Sequence, residues 1–273
     1  MFRNIWKQIH PSVCSIHFLS KAGTRITTFT GFKIKSYLIT DDIIDKFGTP
    51  DSVLVRFSME DGYSERASKR FTFDEFKDKI IHPGGKSGPG YLIVCLDDPE
   101  FEDIPSLKCS RKINFEIGHP VAILGYQLEQ QNLAIKSGII SSFVNHSDGS
   151  KYIQVDCSIK QGNSGSPLID VETEEVIGVV GHRLASITRS YKELMTIFNQ
   201  NLAVLNEVKG RFSYDDIDPV QVLIANQNQI KHIATEFYKT SNMRVAYAIE
   251  LCSLADYCPD SESSMDFEVK YED

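Results

Sequence analysis

The chain has 273 residues, 41% of them hydrophobic and 24% charged, which supports one large core or two smaller ones and excludes wholesale disorder. Its formal net charge of −8 leaves no electrostatic footprint for nucleic acid or an anionic membrane, and no local basic patch stands out. No run of 18 apolar residues occurs, and the opening MFRNIWKQIHPSVCSIHF lacks the apolar stretch and cleavage site of a signal peptide, so a soluble, cytoplasmic protein away from membranes is expected.

From about residue 12 to 185 the sequence is a series of short β-type runs between turn residues: SVCSIHFL, TRITTFTGFKI, SYLIT, SVLVRF, YLIVCL, PVAILGY, LAIKSGIISSF, KYIQVDC, GSPLID and EVIGVVGHRL. Many strands at short spacing predict an antiparallel barrel or sandwich. The six cysteines, at 14, 95, 109, 157, 252 and 258, are scattered and mostly flanked by apolar residues, as reduced core residues are. Cys252 and Cys258 are too far apart for a CxxC pair and lack histidine partners, so neither a metal nor a cofactor is expected.

Beyond about residue 190 the period changes to that of helices. Leu194, Ile197, Phe198, Leu202 and Leu205 fall at helical spacing, with Gly210 as a stop. A second helix is predicted after Asp218-Pro219, through Val220, Leu223, Ile224, Ile230, Ile233 and Phe237. A third is predicted over NMRVAYAIELCSLADYC, with Asn242 as N-cap. The expected organisation is therefore a β-domain over 1–188, a helical C-terminal extension over 189–258 and an acidic flexible tail over 259–273.

The stretch QGNSGSPL, residues 161–168, sets Ser164 in a tight glycine-bearing loop that can aim successive N–H groups at one point, the geometry an oxyanion hole requires. Its surroundings resemble the trypsin-like serine proteases of the chymotrypsin fold, closest to the bacterial HtrA-like branch. The resemblance rests on HPSVCSIHF, FTGFKIKSYLIT, YLIVCLDD, IGHPVAILGY, SGIISSF, IQVDCSIKQGNSGSPLID and EVIGVV, in the family's order over about 170 residues. It implies two six-stranded antiparallel β-barrels with a catalytic crevice between them, where a Ser attacks, a His takes its proton and an Asp orients the His.

Carried over by motif, Ser164 stands at the nucleophile position and the N–H groups of Gly162 and Ser164 at the oxyanion hole. Ser158 falls at the pocket base, where a small neutral residue argues against selection for Arg or Lys. The other two positions do not match. Ile43 stands where the base belongs, and Tyr91, or Gly90 on a one-residue slip, where the orienting carboxylate belongs.

Replacement bases are few. His10, His17, His82, His119, His146 and His232 read as surface or hydrogen-bonded histidines. His182 falls near the pocket rim, where the resemblance suggests a role in binding an acidic or amide side chain, but it belongs to the nucleophile's own barrel. Asp41 and Asp42 adjoin the lost base position, yet a carboxylate of ordinary pKa, near 4, is a weak base toward a serine hydroxyl. Lys160 is expected to face away if strand alternation from Ser158 holds. The expected function is thus that of a catalytically inactive trypsin-like adaptor or scaffold, in a bacterial stress or defence complex, binding a protein or peptide through its inter-barrel cleft or its helices. The alternative is an active serine endopeptidase that uses Ser164 with a non-standard or partner-supplied base.

Overall fold

The structure is a computed structural model that describes residues 1–42, 50–82, 90–110, 115–127, 131–145, 151–160, 162–181, 185–211, 217–240 and 243–251. The chain divides into two compact units, one formed by residues 1–182 with 244–273 and the other by 183–243. Among the described residues no helix is long and apolar enough to cross a membrane.

The first unit opens with a helix that the strand pattern did not reveal, α1 (Phe2–Ile9). It buries Ile5 and Ile9, while Trp6 stacks on His10 and donates its indole N–H to the Glu60 carbonyl at 3.0 Å. Seven strands follow in one antiparallel sheet: β1 (Val13–Leu19), β2 (Arg25–Ile34), β3 (Tyr37–Asp41), β4 (Ser52–Ser58), β5 (Glu65–Thr72), β6 (Ile80–His82) and β7 (Tyr91–Cys95), in the order β5-β4-β1-β2-β3-β7-β6. Between β5 and β6 lies the short helix α2 (Phe73–Asp78). Thr72 and Glu75 cap it reciprocally, each side chain bonding the other residue's N–H.

The second half of this unit is a closed six-stranded barrel. It comprises β8 (Pro120–Tyr126), β9 (Leu133–Asn145), β10 (Lys151–Ile159), β11 (Pro167–Asp170), β12 (Val176–Gly181) and β13 (Met243–Glu250), in the order β10-β13-β12-β11-β8-β9. The expected β architecture is therefore present, with a seven-stranded sheet in place of the first six-stranded barrel.

One expectation is overturned. The third helical run is the strand β13, which pairs antiparallel with β12 from Gly178 opposite Glu250 to Gly181 opposite Tyr247. The alanines and glutamate of RVAYAIE favour helix, but a short apolar run has no decisive period, and tertiary packing overrides propensity. Ala246 and Ala248 fill the barrel interior beside Ile177 and Val180, while Ile249 joins the core on the opposite face. The helices are consequently an insertion between two barrel strands rather than a terminal extension, and the 188/189 boundary gives way to one at 182/183 with a return to the barrel at 244. Asn242, the end of the predicted third helix and the 259–273 tail lie outside the described residues.

Three apolar clusters position the candidate site. One lies inside the seven-stranded sheet, around Ile16, Phe18, Phe57 and Phe76, and another lies inside the barrel, around Ile123, Val155 and Leu168. The third joins sheet to barrel, with Phe32, Tyr37, Ile39 and Tyr91 on one side and Leu124, Tyr126, Val179 and Ile249 on the other. β1 is buried along its whole length: Cys14, Ile16 and Phe18 join the cluster inside the sheet, Val13 joins the one shared with the barrel, and Ser15 and His17 hydrogen-bond each other. Cys14 and Cys157 are buried free thiols, Cys95 is a half-buried free thiol, and Cys109 is half-buried.

The second unit is a hairpin of α3 (Ala185–Val208) and α4 (Pro219–Thr240), close to the two predicted helices. Gly210 adopts φ 78°, which ends the first helix, and Asp218 accepts the N–H groups of Val220 and Gly210, each at 2.8 Å, which starts the second.

Candidate active site

Ser164 sits on the loop that enters β11, with 5% of its surface exposed. The loop is fastened from both sides. Toward the seven-stranded sheet, the Thr30 N–H donates to the Ser164 carbonyl (2.9 Å), and the Thr30 hydroxyl donates to the Gly162 carbonyl (2.7 Å) while accepting the Tyr126 N–H (2.9 Å). Thr40 donates its hydroxyl to the Thr30 carbonyl at 2.7 Å. Toward the barrel, the Gly165 N–H donates to Val180 (2.7 Å) and the Val180 N–H returns to Ser166 (2.8 Å).

Asn163, fully buried, is the hub of this loop. Its amide donates to the Tyr126 carbonyl at 2.9 Å, and its Oδ1 accepts from Lys136 Nζ (2.7 Å) and from the Lys160 N–H (2.9 Å). Lys136 also donates to the Ser158 carbonyl at 2.9 Å, and its burial holds the ammonium below the ordinary lysine pKa. The pattern of a lysine in β9 serving a loop 27 residues later was not legible in the sequence.

Two glycines have positive φ here, Gly162 at 101° and Gly165 at 85°. A Cβ on Gly165 would run into the Thr30 carbonyl and the Thr40 hydroxyl, so only glycine fits the junction. The loop thus has structural reasons for its sequence. It also has a chemical consequence: among the described residues, the N–H groups of Gly162 and Ser164 and the Ser164 hydroxyl make no hydrogen bond, so two donors and a hydroxyl are left for a ligand.

At the two expected triad positions of the opposite wall the sequence writes isoleucine and tyrosine. Ile43, at the expected base position, and His182 lie outside the described residues. Tyr91, at the expected carboxylate position, lies on β7 opposite Asp41 of β3 and is fully buried in the cluster between sheet and barrel. The alternative position, Gly90, has φ 79° and lies against Ile249.

Three histidines are engaged elsewhere. His10 Nδ1 lies 2.7 Å from the Trp6 carbonyl, and His119 Nε2 lies 2.7 Å from Asp170 Oδ1. His17 has both ring nitrogens occupied, by the Ser15 hydroxyl at 3.0 Å and the Thr28 hydroxyl at 2.9 Å. Burial, with the charges of Arg25 and Arg56, lowers its pKa to about 4, so it is neutral at pH 7. This serine–histidine pair, set two residues apart on one strand face, is buried structure rather than a reactive centre.

Asp41 is half-buried at the edge of the loop. Its Oδ1 accepts the Asp42 N–H at 2.9 Å and lies 3.6 Å from where a Cβ on Gly181 would be. Ser158 and Lys160 are both exposed, two residues apart on one side of β10 and its continuation.

One set of side chains able to ligate a metal occurs among the described residues: His119, Asp170 and Glu172, with ligand atoms within 4.8 Å of one another. Asp170 is already engaged by His119, by the Glu172 N–H (2.9 Å) and by the Thr173 hydroxyl (3.0 Å). Burial opposes its ionised form, but these bonds outweigh it and hold the carboxyl below its ordinary pKa. The arrangement secures the β11–β12 turn.

Residues 55–179 match the family model described as the trypsin-like peptidase domain. Similar solved structures include the HtrA-type protease AlgW with tripeptide (17% identity, TM-score 0.50, covering 66% of this chain and 54% of that one). They also include the active form of the Rv3671c protease from M. tuberculosis (20%, 0.50, 65% and 72%) and Deg5 (20%, 0.50, 67% and 84%). The chain spans about half the length of the AlgW structure it matches. A search of curated proteins gives no match.

Proposed function

We propose that this chain, which has the trypsin-like serine protease fold of HtrA-type enzymes, binds protein or peptide without hydrolysing it, as an adaptor or scaffold. The observation that carries this reading is the pairing of a formed oxyanion loop with Tyr91, an apolar-packed side chain, at the position of the orienting carboxylate. Hydrolysis needs a base that takes the serine proton, and an oriented one. His10, His17 and His119 are each bonded elsewhere, and the sequence writes isoleucine at position 43.

Binding asks for less. Two N–H groups that no described residue occupies can donate to a peptide carbonyl or a carboxylate, and the loop that presents them is held rigid by Thr30, Asn163 and Lys136. A cytoplasmic stress or defence assembly is the setting we propose for such a module. The test is a peptide-array binding measurement on the intact chain and on Ser164→Ala. Equal affinities of the two proteins for captured peptides, with all peptides recovered uncut, fit an adaptor; cleavage that the substitution abolishes contradicts it.

A second reading, an active endopeptidase with an unconventional base, draws on Asp41, whose carboxylate lies beside Gly181 at the edge of the nucleophile loop. Its mark would be hydrolysis lost in Asp41→Asn and in Ser164→Ala alike.

A further inference from the structure

The helical hairpin carries more apolar surface than it buries. Among its described residues only Phe198 and Val220 are buried, whereas Phe237 is 74% exposed, Ile233 65% and Val204 62%. These exposures follow a pattern. On α3, Leu194, Ile197, Asn201, Val204 and Val208 are separated by three, four, three and four residues. On α4, Leu223, Asn226, Ile230, Ile233 and Phe237 repeat the same spacing. That is the 3.5-residue repeat of helices that pack along a seam.

Each helix already uses a different seam within the hairpin. Tyr191 stacks on Tyr238 at 4.1 Å, Met195 meets Thr235, and Asn199 accepts from Lys231 at 2.7 Å. Measured from these inner positions, the outer seam is rotated by about 100° in the same sense on both helices. Because the helices are antiparallel, equal rotations bring both outer seams to one side of the hairpin. The result is a single apolar face, about 20 Å long, with no Lys, Arg, Asp or Glu in either seam.

Two seams per helix are what a member of a four-helix bundle needs, one for each neighbour. We propose that the occupant of this face is the same face of a second copy, so that two hairpins close a four-helix bundle and the chain is a homodimer. The absence of charge removes any basis for selecting a charged partner, and the missing half of such a bundle is another two-helix hairpin with matching seams, which this chain supplies. Each face, about 20 Å long and two helix diameters wide, is on the order of 400 Å² in projection, and its protruding side chains raise the area it can bury toward that of a specific interface, about 800 Å² per partner. Asn201 and Asn226, one in each outer seam, are the kind of lone polar residue that fixes register at some expense of stability.

The inference depends on the hairpin alone and not on Ser164, so it can fail without affecting the functional reading. Sedimentation velocity of the intact chain tests it. The expected wild-type species at tens of micromolar has twice the 30.8 kDa of one chain. Ile197→Glu with Ile233→Glu should weaken self-association at least about 100-fold. Asn228→Asp, on the opposite side of α4, should leave it unchanged, and circular dichroism should report folded protein throughout. Because the substituted side chains are exposed, a second pair, Val204→Lys with Ile230→Lys, should behave like the first. A wild-type chain that stays monomeric at about 100 µM, or a dimer that persists in both double variants, overturns the proposal.

Discussion

The nucleophile loop and the strand wall facing it were shaped by different demands. Five backbone groups between Gly162 and Ser166 bond Thr30, Lys160 or Val180, and the Asn163 side chain adds Tyr126, so this loop must keep its glycines whether or not Ser164 reacts. The facing wall had no such obligation. Position 91 requires only a side chain that fills space between sheet and barrel, and a tyrosine packed against Ile39 and Ile93 meets that requirement. On the proposed non-hydrolytic reading, positions that hold the loop together keep their residues, whereas a position needed only for proton transfer is filled by whatever packs.

Substitutions can break this contrast in order of size. Gly165→Ala should be the most damaging, costing about 4 kcal/mol or preventing folding, because its Cβ meets the Thr30 carbonyl and φ 85° disfavours any side chain. Chemical denaturation followed by tryptophan fluorescence would measure it.

Acidification should follow. His17 has a folded pKa of about 4 against an ordinary 6.5, so the unfolded chain binds the proton more readily between those values. Stability is then complete above pH 6.5 and is lost as pH falls toward 4, by about 3 kcal/mol in all. His17→Gln should flatten denaturation midpoints across that window.

Thr30→Val should cost about 2 kcal/mol, since its hydroxyl serves the Gly162 carbonyl and the Tyr126 N–H in a buried position. Ser164→Ala should be the mildest, within about 0.5 kcal/mol, because its hydroxyl bonds no described residue. A large loss on removing that hydroxyl would place Ser164 among the structural groups and erase the distinction drawn above.

Most of the β architecture could be read from the sequence because the runs from SVCSIHFL to EVIGVV carry turn residues between them. The two long helices were legible for a similar reason, since their apolar positions repeat over several turns. Strand β13 was not, because its alternation of Val, Tyr and Ile with alanine fits either period, and its place in the barrel depends on pairing with β12 across an inserted hairpin. At the site, Ser164 and Gly162 were recognisable from a local motif. Lys136, Thr30 and Thr40 were not, because each acts on the loop from another strand, and nothing in the spacing of a lysine or threonine reveals such a long-range bond.

The most direct measurement is the rate at which a fluorophosphonate probe modifies Ser164 in the intact chain at neutral pH, read by intact-protein mass spectrometry. On the proposed reading, in which Ser164 has no oriented base, the expected result is an unmodified protein after hours under conditions that saturate an active trypsin-like enzyme within minutes. Rapid single-site labelling that disappears in Ser164→Ala would contradict it and make the chain a hydrolase.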